Sequence, residues 1–121
     1  MQSDNENMIN GLSASVSGLW MFVRKLENAA RNIANSNTDS YKSKKAPITE
    51  DDSGQPAMNI TIDNAPGASV QDSDGVLQET SNVELLDEMT DLLIAKRGYE
   101  ANLKSVKARE EMLHSLLDIT V

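Results

Sequence analysis

Residues 9–33 read INGLSASVSGLWMFVRKLENAARNI, and the spacing of the large apolar residues in this stretch decides the fold class. Ile9, Leu12, Val16, Leu19, Val23, Leu26, Ala30 and Ile33 follow one another at alternating steps of three and four. That average step keeps one stripe of a helix turned toward a partner helix, the pattern of a coiled-coil seam. Gly11 and Gly18 each weaken the isolated helix by roughly 0.8–1 kcal/mol relative to alanine, so the stripe needs that partner. Ser3-Asp4-Asn5-Glu6 has the form of a capping box ahead of the helix. Asn35-Ser36-Asn37 supplies a stop, because asparagine tolerates the left-handed conformation of a helix C-cap.

A second stripe closes the chain. Leu85, Met89, Leu92, Lys96, Tyr99, Leu103, Val106, Glu110, Leu113 and Leu117 keep the same spacing, interrupted at Lys96 and Glu110. Ser81-Asn82-Val83-Glu84 reads as a capping box. Glu84, Asp87, Glu88 and Asp91 come before Lys96, Arg97, Lys104, Lys107 and Arg109, an order that complements the helix dipole. A helix from about Val83 to Leu117 would be on the order of 50 Å long.

All three prolines, Pro47, Pro56 and Pro66, lie between the stripes. There Met58–Asp63 alternates apolar and polar residues as a half-buried strand does. Asp74-Gly75 fits a hairpin turn between Ser69-Val70-Gln71 and Val76-Leu77-Gln78. Thr49–Gly54 reads as an exposed loop.

The expected fold is therefore mainly α: an antiparallel coiled coil of long N- and C-terminal helices, with a short β/loop segment between them. Residues 1–37 form the first helix, 38–80 the loop and short β-hairpin segment, and 81–121 the second helix. The expected core pairs Leu12, Val16, Leu19, Val23 and Leu26 with Met89, Leu92, Leu103, Val106 and Leu113. Leu19-Trp20-Met21-Phe22-Val23 is apolar through five consecutive positions, which cover every side of a helix. A helix apolar all round must be buried all round, so Trp20 and Phe22 are expected at contacts between subunits.

Composition narrows the chemistry. The 121 residues carry a net charge of −8, distributed as 0, −5 and −3 over residues 1–35, 36–80 and 81–121. A nucleic acid is a poor partner for such a chain. There is no cysteine and one histidine, His114, so thiolate chemistry and single-chain histidine metal sites are excluded. Glu111…His114 has the spacing of one half of a carboxylate-bridged di-iron site but lacks the other half. Asp72-Ser73-Asp74-Gly75 lacks the later ligands of a calcium loop. Lys42-Ser43-Lys44-Lys45 reads as a solvated or ion-pairing patch. Nothing assembles a nucleophile, a base and an orienting group, so no enzyme activity and no cofactor or metal are expected. The polar, acidic start is unlike a cleaved signal peptide, and no run of 18 apolar residues offers a membrane span.

Two segments carry a family resemblance. Residues 29–42, Ala-Ala-Arg-Asn-Ile-Ala-Asn-Ser-Asn-Thr-Asp-Ser-Tyr-Lys, resemble the N-terminal signature of bacterial flagellar rod and hook proteins. Ser-Asn-Val-Glu-Leu at 81–85, Glu88-Met89 and Arg97-Gly98-Tyr99-Glu100-Ala101-Asn102 resemble the C-terminal signature of the same family. Asp39-Ser40 stands where the family often has Pro-Gly, Lys96 where Gln is common, and Gly98 where Ala is common. In length the chain is most like a small proximal rod protein. The resemblance implies a structural subunit of the flagellar basal-body rod, exported without a cleaved signal peptide through the flagellar type III apparatus. It would polymerise helically in the periplasm with itself and with other rod proteins, as the axial shaft that transmits torque. Subunit contacts would then involve Trp20, Phe22, Arg31, Asn32, Asn35, Asn37, Tyr41, Tyr99 and Asn102. A cytoplasmic helical-bundle adaptor or regulator is the alternative that heptads alone permit.

Overall fold

A computed structural model describes residues 2–119. Helix α1 runs Gln2–Ala34 and helix α2 runs Leu85–Ile119. Between them lie six short strands: β1 Lys44–Lys45, β2 Ile48–Glu50, β3 Pro56–Met58, β4 Thr61–Ile62, β5 Ser69–Gln71 and β6 Leu77–Glu79. They form three separate antiparallel pairs, β1 with β4, β2 with β3 and β5 with β6. The architecture is thus the expected helical hairpin with a strand-containing insert.

Both helix starts differ from the sequence reading. Ser3-Asp4-Asn5-Glu6 lies inside α1 and does not cap it. At α2 the Glu84 carbonyl accepts the Glu88 N–H at 3.1 Å, so Glu84 occupies the cap position. Ser81 Oγ instead accepts the Val83 N–H at 3.2 Å in a local turn. The Asn82 amide turns away from the helix, donating to the Asp63 and Ala65 carbonyls at 2.8 and 2.9 Å and accepting the Ser43 N–H at 2.7 Å. It pins the insert to the start of α2.

The helices pack antiparallel, but not on the large apolar stripe. Gly11 lies against the Arg109 guanidinium, Gly18 against the Asn102 amide, and Gly98 against the Phe22 ring. Lys25 pairs with Asp91 at 3.6 Å, and Asn32 donates to Glu88 at 2.9 Å. On α1 the seam is Gly11, Ser15, Gly18, Phe22, Lys25, Ala29 and Asn32, a second run of three-and-four steps one residue out of phase with the apolar one. Ala29 and Ala95 are fully buried between the helices. Small side chains let the backbones draw together, and the neighbouring position on a helix points about 100° away. The large residues therefore flank the seam. Within the chain Val16, Leu26 and Met89 are exposed rather than core residues. Leu12, Leu19, Val23, Leu92, Leu103, Val106 and Leu113 are only half-buried.

The insert also departs from its reading. The expected strand Met58–Asp63 is broken into β3 and β4, and Thr49-Glu50 belongs to β2, which leaves only Asp51–Gly54 as exposed loop. The hairpin around Asp74-Gly75 is present, with Ser69 opposite Glu79 and Gln71 opposite Leu77. The β2–β3 and β5–β6 turns share one chemistry. In each, an Asp carboxylate (Asp51 or Asp72) accepts two backbone N–H groups and a glycine at positive φ ends the loop, Gly54 at 75° or Gly75 at 80°. This is the three-residue hairpin loop whose last residue must be left-handed.

Ser40 takes φ 59° in the Thr38–Tyr41 turn, where the Tyr41 N–H bonds the Thr38 carbonyl at 3.2 Å. A left-handed conformation costs a residue with a Cβ roughly 1–2 kcal/mol, and glycine loses somewhat more chain entropy on folding. Ser40→Gly is therefore expected to stabilise the chain by about 0.5–1 kcal/mol, read as a higher urea midpoint. An unchanged or lower midpoint would show that the turn is not strained.

Candidate assembly surface

Asn32 is the most fully engaged of the side chains that hold the insert to the helices. Asn32 is fully buried and uses every hydrogen-bonding position it has. Its Nδ2 donates to the Lys44 carbonyl at 2.9 Å and to Glu88 Oε1 at 2.9 Å. Its Oδ1 accepts the Tyr41 hydroxyl and the Lys44 N–H, both at 3.1 Å. Asn28 Nδ2 adds a 2.7 Å bond to the same Lys44 carbonyl. Lys25 Nζ reaches the Ala46 carbonyl at 3.2 Å while pairing with Asp91, tying insert, α1 and α2 together.

Glu88 is the charged member of this junction. It is 3% exposed, and its Oε2 is buried without a hydrogen-bond partner. Burial pushes its carboxyl above the ordinary carboxylate range; the Asn32 bond and Lys45 oppose the shift, and Asp91 and Asp87 reinforce it. Glu79 is the opposite case: the Lys42 ammonium and the Gly67 N–H hold its carboxyl below the usual range. The signs follow from linkage. Glu88 keeps its proton to higher pH in the folded chain, so its contribution is full below the unfolded value and is lost as pH rises through the folded one. Glu79 contributes above its unfolded value and loses that as pH falls. Glu88→Gln keeps an oxygen for Asn32 and removes the buried charge. It is expected to raise the urea midpoint at pH 7 more than at pH 4. An equal effect at both pH values would mean that Glu88 is not titrating above its usual range.

The face beside the seam is the larger feature. Phe22, Val23, Leu26, Ala95, Tyr99 and Leu103 line an apolar groove of about 360 Å³ between the helices. Trp20, 64% exposed, stands next to it with Val16, Leu19 and Tyr99. Residues expected as coiled-coil core and residues expected at subunit contacts thus merge into one open surface. A second apolar hollow at the other end joins Met8 to Ala108, Met112 and Leu116. Leu85, Leu86, Met89, Leu93 and Ile94 extend exposed apolar surface along the first half of α2.

The other expected contact residues divide. Arg31 and Asn37 are exposed. Asn35 caps α1, donating to the Arg31 carbonyl at 2.9 Å and accepting the Thr38 hydroxyl at 3.1 Å. Within the chain Asn32 and Tyr41 hydrogen-bond each other, and Asn102 lies against Gly18 at the seam; Tyr41 and Asn102 remain half-buried. Asn28, Asn82 and Glu88 were not singled out as site residues by the sequence reading; the second, small-residue heptad was the available signal for Asn28's neighbours. Among the described residues no group of His, Cys, Asp and Glu is placed to hold a metal ion. No described helix is long and apolar enough to cross a membrane.

Comparison with known proteins accords with this arrangement. Residues 73–119 match the family described as flagellar basal body rod FlgEFG protein C-terminal. The flagellar basal-body rod protein FlgC of Bacillus subtilis (strain 168) is 38% identical over 63% of this chain and 47% of its own length. FlgG of the same organism is 39% identical over 34% of this chain and 16% of its own length. The match thus spans less than half of either Bacillus relative. FlgC of Buchnera aphidicola subsp. Baizongia pistaciae (strain Bp) is 24% identical over 93% of this chain and 98% of its own length.

Proposed function

We propose, from the premise that the chain belongs to the flagellar basal-body rod family, that it is a structural subunit which polymerises helically into the axial shaft and transmits torque. One observation carries this reading. The helix pair closes largely on small and polar groups, while large apolar residues beside the seam stay exposed and line an open groove. Burying a Leu- or Phe-sized side chain stabilises by roughly 1.5–3 kcal/mol, and within the chain few such side chains are buried. Neighbouring copies and other rod proteins would cover that face. The same small core suits passage through the flagellar type III apparatus as an unfolded chain to the periplasmic rod.

Association then supplies stability that the single chain lacks, so helicity is expected to rise with protein concentration. Trp20 reports the contact directly. Its indole fluorescence should shift to the blue on assembly, and Trp20→Ala should block assembly while leaving the helicity of the dilute chain unchanged. A fully helical, concentration-independent monomer with water-like Trp20 emission at every concentration would overturn the reading. Recovery of the chain only from the soluble cytoplasm, never with basal bodies, would favour an adaptor instead.

A further inference from the structure

The six cations of α1 and the insert fall into two sets. Among the described residues Lys25, Lys42 and Lys45 sit in ion pairs, with Asp91, Glu79 and Asp63 respectively. Arg24, Arg31 and Lys44 have no such partner, and all three line one polar cleft of about 250 Å³. Arg24 and Arg31 are seven residues apart on α1 and so share a face. Lys44 is held beside them because Asn28 and Asn32 both bond its carbonyl. Glu27 lies in the same cleft and offsets part of the charge, and Ile60, 39% exposed, forms its apolar edge.

The β5–β6 hairpin has the complementary character. Among the described residues it packs against neither helix and no other strand. It is moored at its base, where the Ser40 N–H bonds the Glu79 carbonyl at 2.8 Å and the Lys42 ammonium bonds the Glu79 carboxylate. Val70, Val76 and Leu77 are 53, 56 and 71% exposed. A two-stranded ribbon with nothing beneath it is marginal in water, so these residues call for a covering surface. Its tip carries Asp72 and Asp74, neither in an ion pair among the described residues. Asp72 Oδ1 accepts the Asp74 and Val76 N–H groups at 2.9 and 3.0 Å, which fixes the tip's shape.

We infer that the Asp72–Asp74 tip of one copy seats in the Arg24–Arg31–Lys44 cleft of the next copy, with Val76, on the same side of the ribbon as Val70, against Ile60. This rests on the assembly reading above and names one of its contacts. Guanidinium groups pair well with carboxylates, and the hairpin's apolar side matches the cleft's apolar edge. The other acidic tip, Asp51-Asp52, is the poorer occupant: its hairpin lies back against α1, with Ile48 and Met58 half-buried. Donor and acceptor are different patches, so the contact is heterologous. It propagates from copy to copy rather than closing on itself in a pair.

Sedimentation velocity on full-length chains tests this. S73K/D74K alters the tip while keeping the Asp72 carboxylate that holds its shape, and R24E/R31E alters the cleft, all at positions outside the seam. Each is expected to raise the concentration of half-association about tenfold or more and to flatten its salt dependence. Combining all four substitutions should restore association to within about threefold of the original chain, because the two signs are exchanged together. Mixing the two separate variants should restore growth as an alternating assembly, since the basic tip of one meets the acidic cleft of the other and the acidic tip meets the basic cleft, while neither variant grows alone. Ser73→Cys and Glu27→Cys in separate chains should form a disulfide between copies. Association unaffected by either reversal, no recovery in the fourfold variant, or no cross-link would overturn this contact while leaving assembly itself standing. A wild-type chain that never associates would overturn the assembly reading as well.

Discussion

Asn32→Ala is expected to destabilise the chain by roughly 3–6 kcal/mol, a large share of the 5–15 kcal/mol that holds a typical domain together. The substitution removes four hydrogen bonds at a position with no exposure. The Lys44 carbonyl keeps its bond from Asn28, but the Lys44 N–H, the Tyr41 hydroxyl and Glu88 Oε1 lose theirs. Each buried polar group left unpaired costs about 1–3 kcal/mol, more where charge is involved, as at Glu88. Asn32→Asp separates the donor role from the acceptor role. It retains acceptors for Tyr41 and Lys44 but sets a second carboxylate against Glu88. Its loss should be severe at pH 7 and partly relieved in acid. Asn37→Ala, exposed and in the same motif, should change the stability read from urea unfolding by less than about 0.5 kcal/mol. A loss below about 1 kcal/mol for Asn32→Ala would mean that the insert is held elsewhere.

The second large effect belongs to the seam. A Cβ on Gly98 would collide with the Phe22 ring, so Gly98→Leu must push the helices apart or displace that ring. Losing a mid-helix glycine gains about 0.8–1 kcal/mol of helix propensity. Overpacking against the Phe22 ring should outweigh it, for a net loss of about 2–3 kcal/mol. Phe22→Ala in the same chain supplies the missing room. The double variant should therefore be more stable than the sum of the single effects by at least about 1 kcal/mol, measured as a double-mutant cycle in urea. Additive effects would show that Gly98 and Phe22 do not meet.

The periodicity made the two helices and their antiparallel pairing legible, because a three-and-four spacing survives any choice of neighbour. It misassigned the seam because two such runs lie side by side on α1, and hydrophobicity favours the one with Leu and Val. Close approach selects the other, with Gly, Ala and Ser. An apolar stripe therefore marked surface to be covered, not the contact inside the chain. The hairpin at Asp74-Gly75 was readable from local turn chemistry. The β1–β4 pairing was not, since two-residue strands carry no period. Asn32 stood out through its motif, but its partners are set by tertiary placement, and Glu88 lies 56 residues away.

That separation also orders the folding of the junction. Tyr41 and Lys44 are only 9 and 12 residues from Asn32, whereas the Glu88 bond closes a span of 56. Loop closure costs more entropy the longer the loop, and distant contacts form slowly unless a template awaits them. The end of α1 and its turn are therefore expected to form a nucleus of neighbouring residues first, with α2 docking on it later. Kinetically, Tyr41→Phe should slow folding, while Glu88→Gln should act mainly on the unfolding rate. A chain that emerges N-terminus first would have its mould ready before the second helix arrives.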